Sequence, residues 1–204
     1  MQADDTFRYI MLAGILTVLA IAWSHRFRAR TGESLERRQE GVFILVALRF
    51  TGLAGFAAVA AYLVKPSNLA FTAVPLPPWL RWMGVALGGV TVWLLFWTLR
   101  TLGKNLTDTV VTRKQHTLVT VGPYRWVRHP FYDCLALLAV TASLVTANAF
   151  FLVAGGFGLL LVALRTRVEE RNLLSRFGED YRRYTERTGR FVPRPSNTAR
   201  SKKS

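Results

Sequence analysis

Two short stretches of this sequence gather side chains that could do chemistry. The first is Gly122-Pro123-Tyr124-Arg125-Trp126-Val127-Arg128-His129-Pro130-Phe131-Tyr132. It sets two arginines, a histidine and two tyrosines directly before an apolar run that begins at Phe131. The second, Arg165-Thr166-Arg167-Val168-Glu169-Glu170, follows the next apolar run. Charged groups at the edge of hydrocarbon cost several kcal/mol unless they are paired, so each cluster marks a functional site by default. Arg165 and Glu169 are four residues apart and share one helix face. Arg128 either pairs a carboxylate, with Glu170 as the candidate partner, or snorkels to headgroups. The two clusters bracket a helical hairpin and can meet at one membrane face.

The elements that must position them are apolar. Hydrophobic residues make up 51% of the 204-residue chain, and they are collected into long runs. A run of about 18 or more reads as a membrane span. Five spans are expected: Phe7 to Trp23, Val42 to Val64, Trp79 to Leu99, Phe131 to Thr146 and Ala149 to Leu164. The last two are short for a bilayer, and only Ala147 and Asn148 separate them, so they should form a tight antiparallel hairpin. Trp79, Trp82, Trp93 and Trp97 fall near the ends of the third span, as an aromatic belt would. The fold class is therefore all-α, a polytopic membrane bundle. A cytoplasmic C-terminal helix is expected over Val168 to Thr188, broken near Phe177-Gly178. Its polar face would hold Glu169, Glu170, Arg171, Arg182 and Arg183, and it would lie on the membrane and cover a site below. Residues 1–195 read as one domain and 196–204 as a disordered basic tail near anionic lipid.

The formal charge of +15, from 27 Lys and Arg against 12 Asp and Glu, would suggest nucleic acid in a soluble protein. Here the basic residues lie between and after the apolar runs, which fits a membrane orientation signal and no nucleic-acid partner. Arginines and lysines crowd the first and third connections and the tail, while the second and fourth connections carry one lysine and none. The N-terminus is then outside, with the C-terminus and both charged clusters cytoplasmic. The first run has Asp4 and Asp5 before it and no small-residue cleavage site after it, so it reads as a retained span. Lys65 to Pro78, with four prolines, reads as an ordered, non-helical external loop. The single cysteine, Cys134, excludes an internal disulfide and a Cys-based zinc cluster. His25, His116 and His129 share no ligand spacing, so no metal is expected.

The order His116-Thr117-Leu118-Val119-Thr120, Gly122-Pro123-Tyr124-Arg125, then Arg128-His129-Pro130-x-Tyr132 resembles the isoprenylcysteine carboxyl methyltransferase family. Glu169-Glu170-x-x-Leu173, Phe177-Gly178-x-x-Tyr181-x-x-Tyr184 and Arg190-Phe191-Val192-Pro193 resemble its C-terminal signature. Leu102-Gly103-Lys104-Asn105-Leu106 resembles the family's loop after the preceding span. The resemblance covers about residues 80–195, and membrane phospholipid N-methyltransferases share it. It implies an S-adenosylmethionine-dependent membrane enzyme with a lipophilic or prenylated acceptor. By family position, His116, Leu118, Val119, Tyr124, Arg128, His129, Pro130, Phe131, Tyr132 and Glu170 would contact the cofactor. Arg165 and Glu169 would serve the acceptor and the catalysis.

Plainer readings stand beside these. Tyr124 is also an ordinary interfacial anchor, Pro130 an ordinary helix start, and Arg165–Glu169 an ordinary intrahelical pair. A carboxylate acceptor is already anionic and needs alignment more than a base, whereas a lipid amine would need Glu169 or Glu170 to take its proton. Outside the class, a nicotinamide-dependent membrane reductase or a silent scaffold would share the helical layout. No Gly-rich loop follows a strand, which excludes a soluble Rossmann methyltransferase. Cys134 stands where the family usually has glycine, Asp133 is an unusual polar residue at a span start, and Arg49 lies inside the second span.

Overall fold

The computed structural model describes residues 2–28, 42–103 and 117–194. Five α-helices follow the apolar runs: α1 (Gln2–Arg28), α2 (Val42–Val64), α3 (Pro78–Leu102), α4 (Pro130–Thr146) and α5 (Ala149–Arg187). Pro78 and Pro130 occupy first-turn positions, where a missing N–H leaves no helical bond unmade. Helices α1, α2, α3 and α5 are each long and apolar enough to cross a membrane. Large apolar side chains such as Phe50, Phe56, Val90 and Val153 point outward, as lipid-facing residues do.

Helix α4 packs between α3 and α5, α1 lies on α3 and α4, and α2 lies on α5. The α3–α4 approach depends on small residues, since a Cβ at Gly84 would meet Leu144 Cβ at 2.6 Å. Thr91, Thr98 and Thr166 are fully buried. Two of these hydroxyls are satisfied within their own helix, Thr91 by Leu87 O at 2.7 Å and Thr166 by Val162 O at 2.8 Å. With 17 residues, α4 is about 25 Å long, short of a hydrocarbon core of about 30 Å. Its C-terminal end is held at the hairpin turn, so its N-terminal cluster lies alongside the middle of the 39-residue α5.

That turn is the expected tight hairpin. Ala147 takes the left-handed conformation (φ 50°, ψ 48°), and Asn148 caps α5 by accepting from Phe150 N at 3.0 Å. Asn148 is 3% exposed and also ties down the preceding loop. It donates to Leu69 O at 2.8 Å and accepts from Thr72 Oγ1 at 2.9 Å. The loop was expected to be ordered but non-helical. It is ordered, yet Pro66–Thr72 forms a 3-10 helix with an irregular step at Leu69 (φ −114°, ψ 22°). Its proline opens that helix, and Asn148 holds the Leu69 carbonyl and the Thr72 hydroxyl from outside. Asn148→Ala is expected to destabilise by about 2–3 kcal/mol through the lost cap and two buried hydrogen bonds. Thermal unfolding in detergent reads this; an unchanged midpoint would show that the loop and turn do not depend on each other.

The expectation of a separate C-terminal helix from Val168 is corrected, because α5 runs unbroken from the hairpin past both glutamates. Nothing between Leu164 and Val168 opposes a helix, and Thr166 is buried within it. The expected break does occur at Gly178 (φ 52°, ψ −120°), a backbone state that side chains oppose.

Candidate active site

The cluster before α4 is built on a 3-10 turn, Gly122–Arg125, that buries Pro123 and Tyr124. The carbonyl of Tyr124 accepts the Tyr184 hydroxyl at 2.7 Å, which ties this turn to the far arm of α5. The chain leaving α5 then returns along the cluster. Val127 and Gly189 pair as an isolated parallel bridge, Arg128 N donates to Gly189 O at 2.9 Å, and His129 N donates to Arg190 O at 3.2 Å. Only glycine fits at 189, since a Cβ there would fall 1.6 Å from Val192 O.

The two charged clusters meet at Glu170, whose side chain is 14% exposed. Arg128 Nε donates to Glu170 Oε1 at 2.9 Å, and Arg190 Nε donates to the same oxygen at 3.1 Å. Arg190 Nη2 also contacts Oε2, and His129 Nε2 lies 3.3 Å from Oε1. The remaining Arg128 donors reach the carbonyls of Thr188 at 2.5 Å and Thr185 at 3.3 Å. Burial raises the Glu170 pKa, but the hydrogen bonds from His129, Arg190 and Arg128 outweigh it and hold the carboxyl well below the usual range.

On the other side of His129 lies Glu169. Tyr132 donates to Glu169 Oε2 at 2.8 Å, and His129 Nδ1 is 3.8 Å from that oxygen. The imidazole is 5% exposed and therefore sits between two carboxylates. It stacks on the Tyr132 ring at a centroid distance of 5.4 Å and an angle of 11°, with Phe191 at 5.9 Å. Burial, with the Glu169 charge nearby, pushes the Tyr124 phenol far above its ordinary pKa, so it stays protonated.

The structure thus brings together Arg128, His129, Tyr132, Glu169 and Glu170. Pro130 is buried at the start of α4, and Phe131 packs edge-on against Tyr132 at 6.0 Å. Arg165 is half-buried one turn before Glu169, close enough to act electrostatically on Tyr132. Leu118 and Val119 are half-buried in the irregular segment before Val121. His116, like Lys104 to Leu106, lies outside the described residues. Cys134 is fully buried against α3, with Thr98 Oγ1 4.0 Å from its sulfur, so its small side chain serves helix packing. Arg49 is exposed on α2.

Sequence reasoning did not single out Arg190 or Phe191 as site residues. Their signal was present in the Arg190-Phe191-Val192-Pro193 motif, but only the fold shows that this segment returns to the cluster.

A model of the isoprenylcysteine carboxyl methyltransferase family matches residues 84–175. The chain is 39% identical over 125 residues to the cobalt-zinc-cadmium resistance protein CzcN of Cupriavidus metallidurans, covering 57% of this chain and 55% of that one. It is 34% identical over 98 residues to the protein-S-isoprenylcysteine O-methyltransferase of Saccharomyces cerevisiae, covering 47% and 41%. The chain spans about half the length of these curated relatives. The structure of the eukaryotic intramembrane Ras methyltransferase superposes with a TM-score of 0.53 at 24% identity, covering 70% of this chain and 52% of that one, which supports the fold. The protein is a polytopic helical membrane protein, and residues 84–175, which carry the hairpin and both clusters up to Glu170, match the model of the isoprenylcysteine carboxyl methyltransferase family.

Proposed function

We propose that this protein transfers a methyl group from S-adenosylmethionine to a lipophilic acceptor, an isoprenylcysteine-like carboxylate in the first instance. The observation that carries this reading is His129 and Tyr132 of the α4 cluster meeting Glu169 and Glu170 of α5 inside the family-matching segment. The donor set suits the cofactor. Aromatic faces at His129, Tyr132 and Phe191 and the carboxylates beside them favour a sulfonium cation and an adenine ring. When bound, S-adenosylmethionine supplies an activated methyl group. His116, Leu118, Val119, Tyr124, Arg128, Pro130, Phe131 and Glu170 complete the expected cofactor contacts.

The protein's own residues then orient and desolvate. Arg165 pairs the acceptor carboxylate, and the hydrogen bond from Tyr132 fixes the Glu169 carboxylate. An anionic acceptor needs no base, so a water-poor, aligned site carries the catalysis. The yeast relative's name supports this acceptor over a lipid amine, and nothing in the site favours a nicotinamide. The distribution of arginines and lysines supports an outside N-terminus and a cytoplasmic site.

Calorimetry of S-adenosylmethionine with detergent-purified protein tests the reading. Saturable binding is expected in the wild type and a loss of at least about tenfold in His129→Ala, which removes a stacked ring and a partner of both glutamates. Equal binding by both proteins would overturn the site, and no binding by either would overturn the cofactor.

A further inference from the structure

We propose that a groove between the two arms of α5, beside the candidate active site, binds the phosphate of an anionic membrane lipid. The break at Gly178 turns the second arm of α5 away from the first and leaves a cavity of about 850 Å³. Six arginines line it, at 128, 167, 171, 182, 190 and 194, against only Glu170 and Glu186 as acids. Arg128 and Arg190 are committed to Glu170, and Arg194 Nη1 donates to the carbonyls of Thr185 and Glu186, each at 3.2 Å. Arg167, Arg171 and Arg182 are exposed. Glu179 lies 3.6 Å from Arg182 with both side chains open to solvent, a pair worth little.

A second observation points to a ligand. Tyr181 lines the groove, is 2% exposed, and its hydroxyl has no hydrogen-bond partner among the described residues. A buried hydroxyl without a partner is rare unless a ligand or water completes it. Excess guanidinium charge with one spare hydroxyl donor matches a phosphate, which guanidinium forks bind through paired donors.

The position selects the source. The groove begins at Arg167, three residues beyond the apolar run that ends at Leu164, which is the depth of headgroups. Leu174 adds an apolar wall at 40% exposure, suited to the glycerol end of a lipid. The chain's own tail is no competitor by charge, because residues after Arg194 include Arg200, Lys202 and Lys203 and no acid. This proposal concerns a bound lipid and not the methyl acceptor, so its readout is independent of turnover.

The test is lipid retention. Protein reconstituted in mixed phosphatidylcholine and phosphatidylglycerol discs is released into the gas phase, and retained lipids are weighed by native mass spectrometry. The wild type is expected to keep phosphatidylglycerol preferentially. The triple variant Arg167→Gln, Arg171→Gln, Arg182→Gln should lose that preference by on the order of 100-fold, at roughly fivefold per arginine near the surface. All three side chains are exposed, so the fold should survive; Leu174→Glu, which adds a carboxylate to the same groove, should lose the preference without removing any arginine. Equal retention by wild type and both variants would overturn the proposal. Thermal protection of lipid-free wild type by inorganic phosphate equal to that by phosphatidylglycerol, lost in the triple variant, would reassign the groove to free phosphate and overturn the lipid.

Discussion

Glu170→Ala is expected to destabilise the protein by about 3 kcal/mol, because it leaves the largely buried Arg128 guanidinium without its carboxylate partner. Arg128 is 10% exposed at its side chain, and its other donors already serve the carbonyls of Thr185 and Thr188. The same carboxylate holds Arg190, and Arg190 sits on the segment whose backbone pairs with Arg128 and His129. Losing it should loosen the return segment from the α4 cluster as well as lower the unfolding midpoint. Hydrogen exchange over 188–193 and thermal unfolding in detergent read the two effects separately. A wild-type midpoint in Glu170→Ala would show that the arginines find water or other partners at no cost.

The same group sets an acid limit. Its folded pKa lies below the ordinary glutamate value, so its contribution is fully present above about pH 5 and is lost as pH falls further into acid. The stability difference between the wild type and Glu170→Gln should therefore stay level from neutral pH down to about pH 5. In stronger acid the difference from Glu170→Gln should shrink. A difference that instead grew as the pH fell would contradict the depressed pKa.

Glu169→Ala is expected to lower kcat/KM for an isoprenylcysteine acceptor at least about 100-fold, the scale of a misplaced reacting pair. Glu169 accepts the Tyr132 hydroxyl at 2.8 Å and faces His129 Nδ1 at 3.8 Å, so it is placed to align groups from both helices. Glu169→Gln keeps an acceptor for Tyr132 and should retain turnover within about tenfold when the acceptor is a carboxylate. An amine acceptor needs a base, and glutamine cannot be one. Equal loss in both variants would move the reading toward an amine acceptor or a required negative charge. Full turnover in Glu169→Ala would remove the residue from the site.

Much of this was legible along the chain. The five apolar runs, the two-residue hairpin turn and the break at Gly178 all follow from local composition, because hydrocarbon burial and helix geometry act over neighbouring residues. The pairing of Arg128 with Glu170 was also open to reading, since two charged clusters flanking one hairpin have to lie at the same end. The separate helix expected from Val168 is instead a continuation of α5, for the converse reason. A change from apolar to charged side chains alters the solvent a helix needs, but not its backbone hydrogen bonding, so α5 continues.

What the sequence by itself determined is therefore the class of molecule, the ends of its spans and the residue types at one membrane face. The tertiary structure decided which of those residues touch. It placed His129 between two carboxylates, returned Gly189 and Arg190 to the α4 cluster, folded the arms of α5 around an arginine-lined groove, and turned Cys134 into an α3–α4 packing residue. Periodicity and charge are local properties of a chain. Beyond the Arg128–Glu170 pair, contacts between residues about 40 to 60 positions apart depend on how α3, α4 and α5 pack, and no local pattern encodes that.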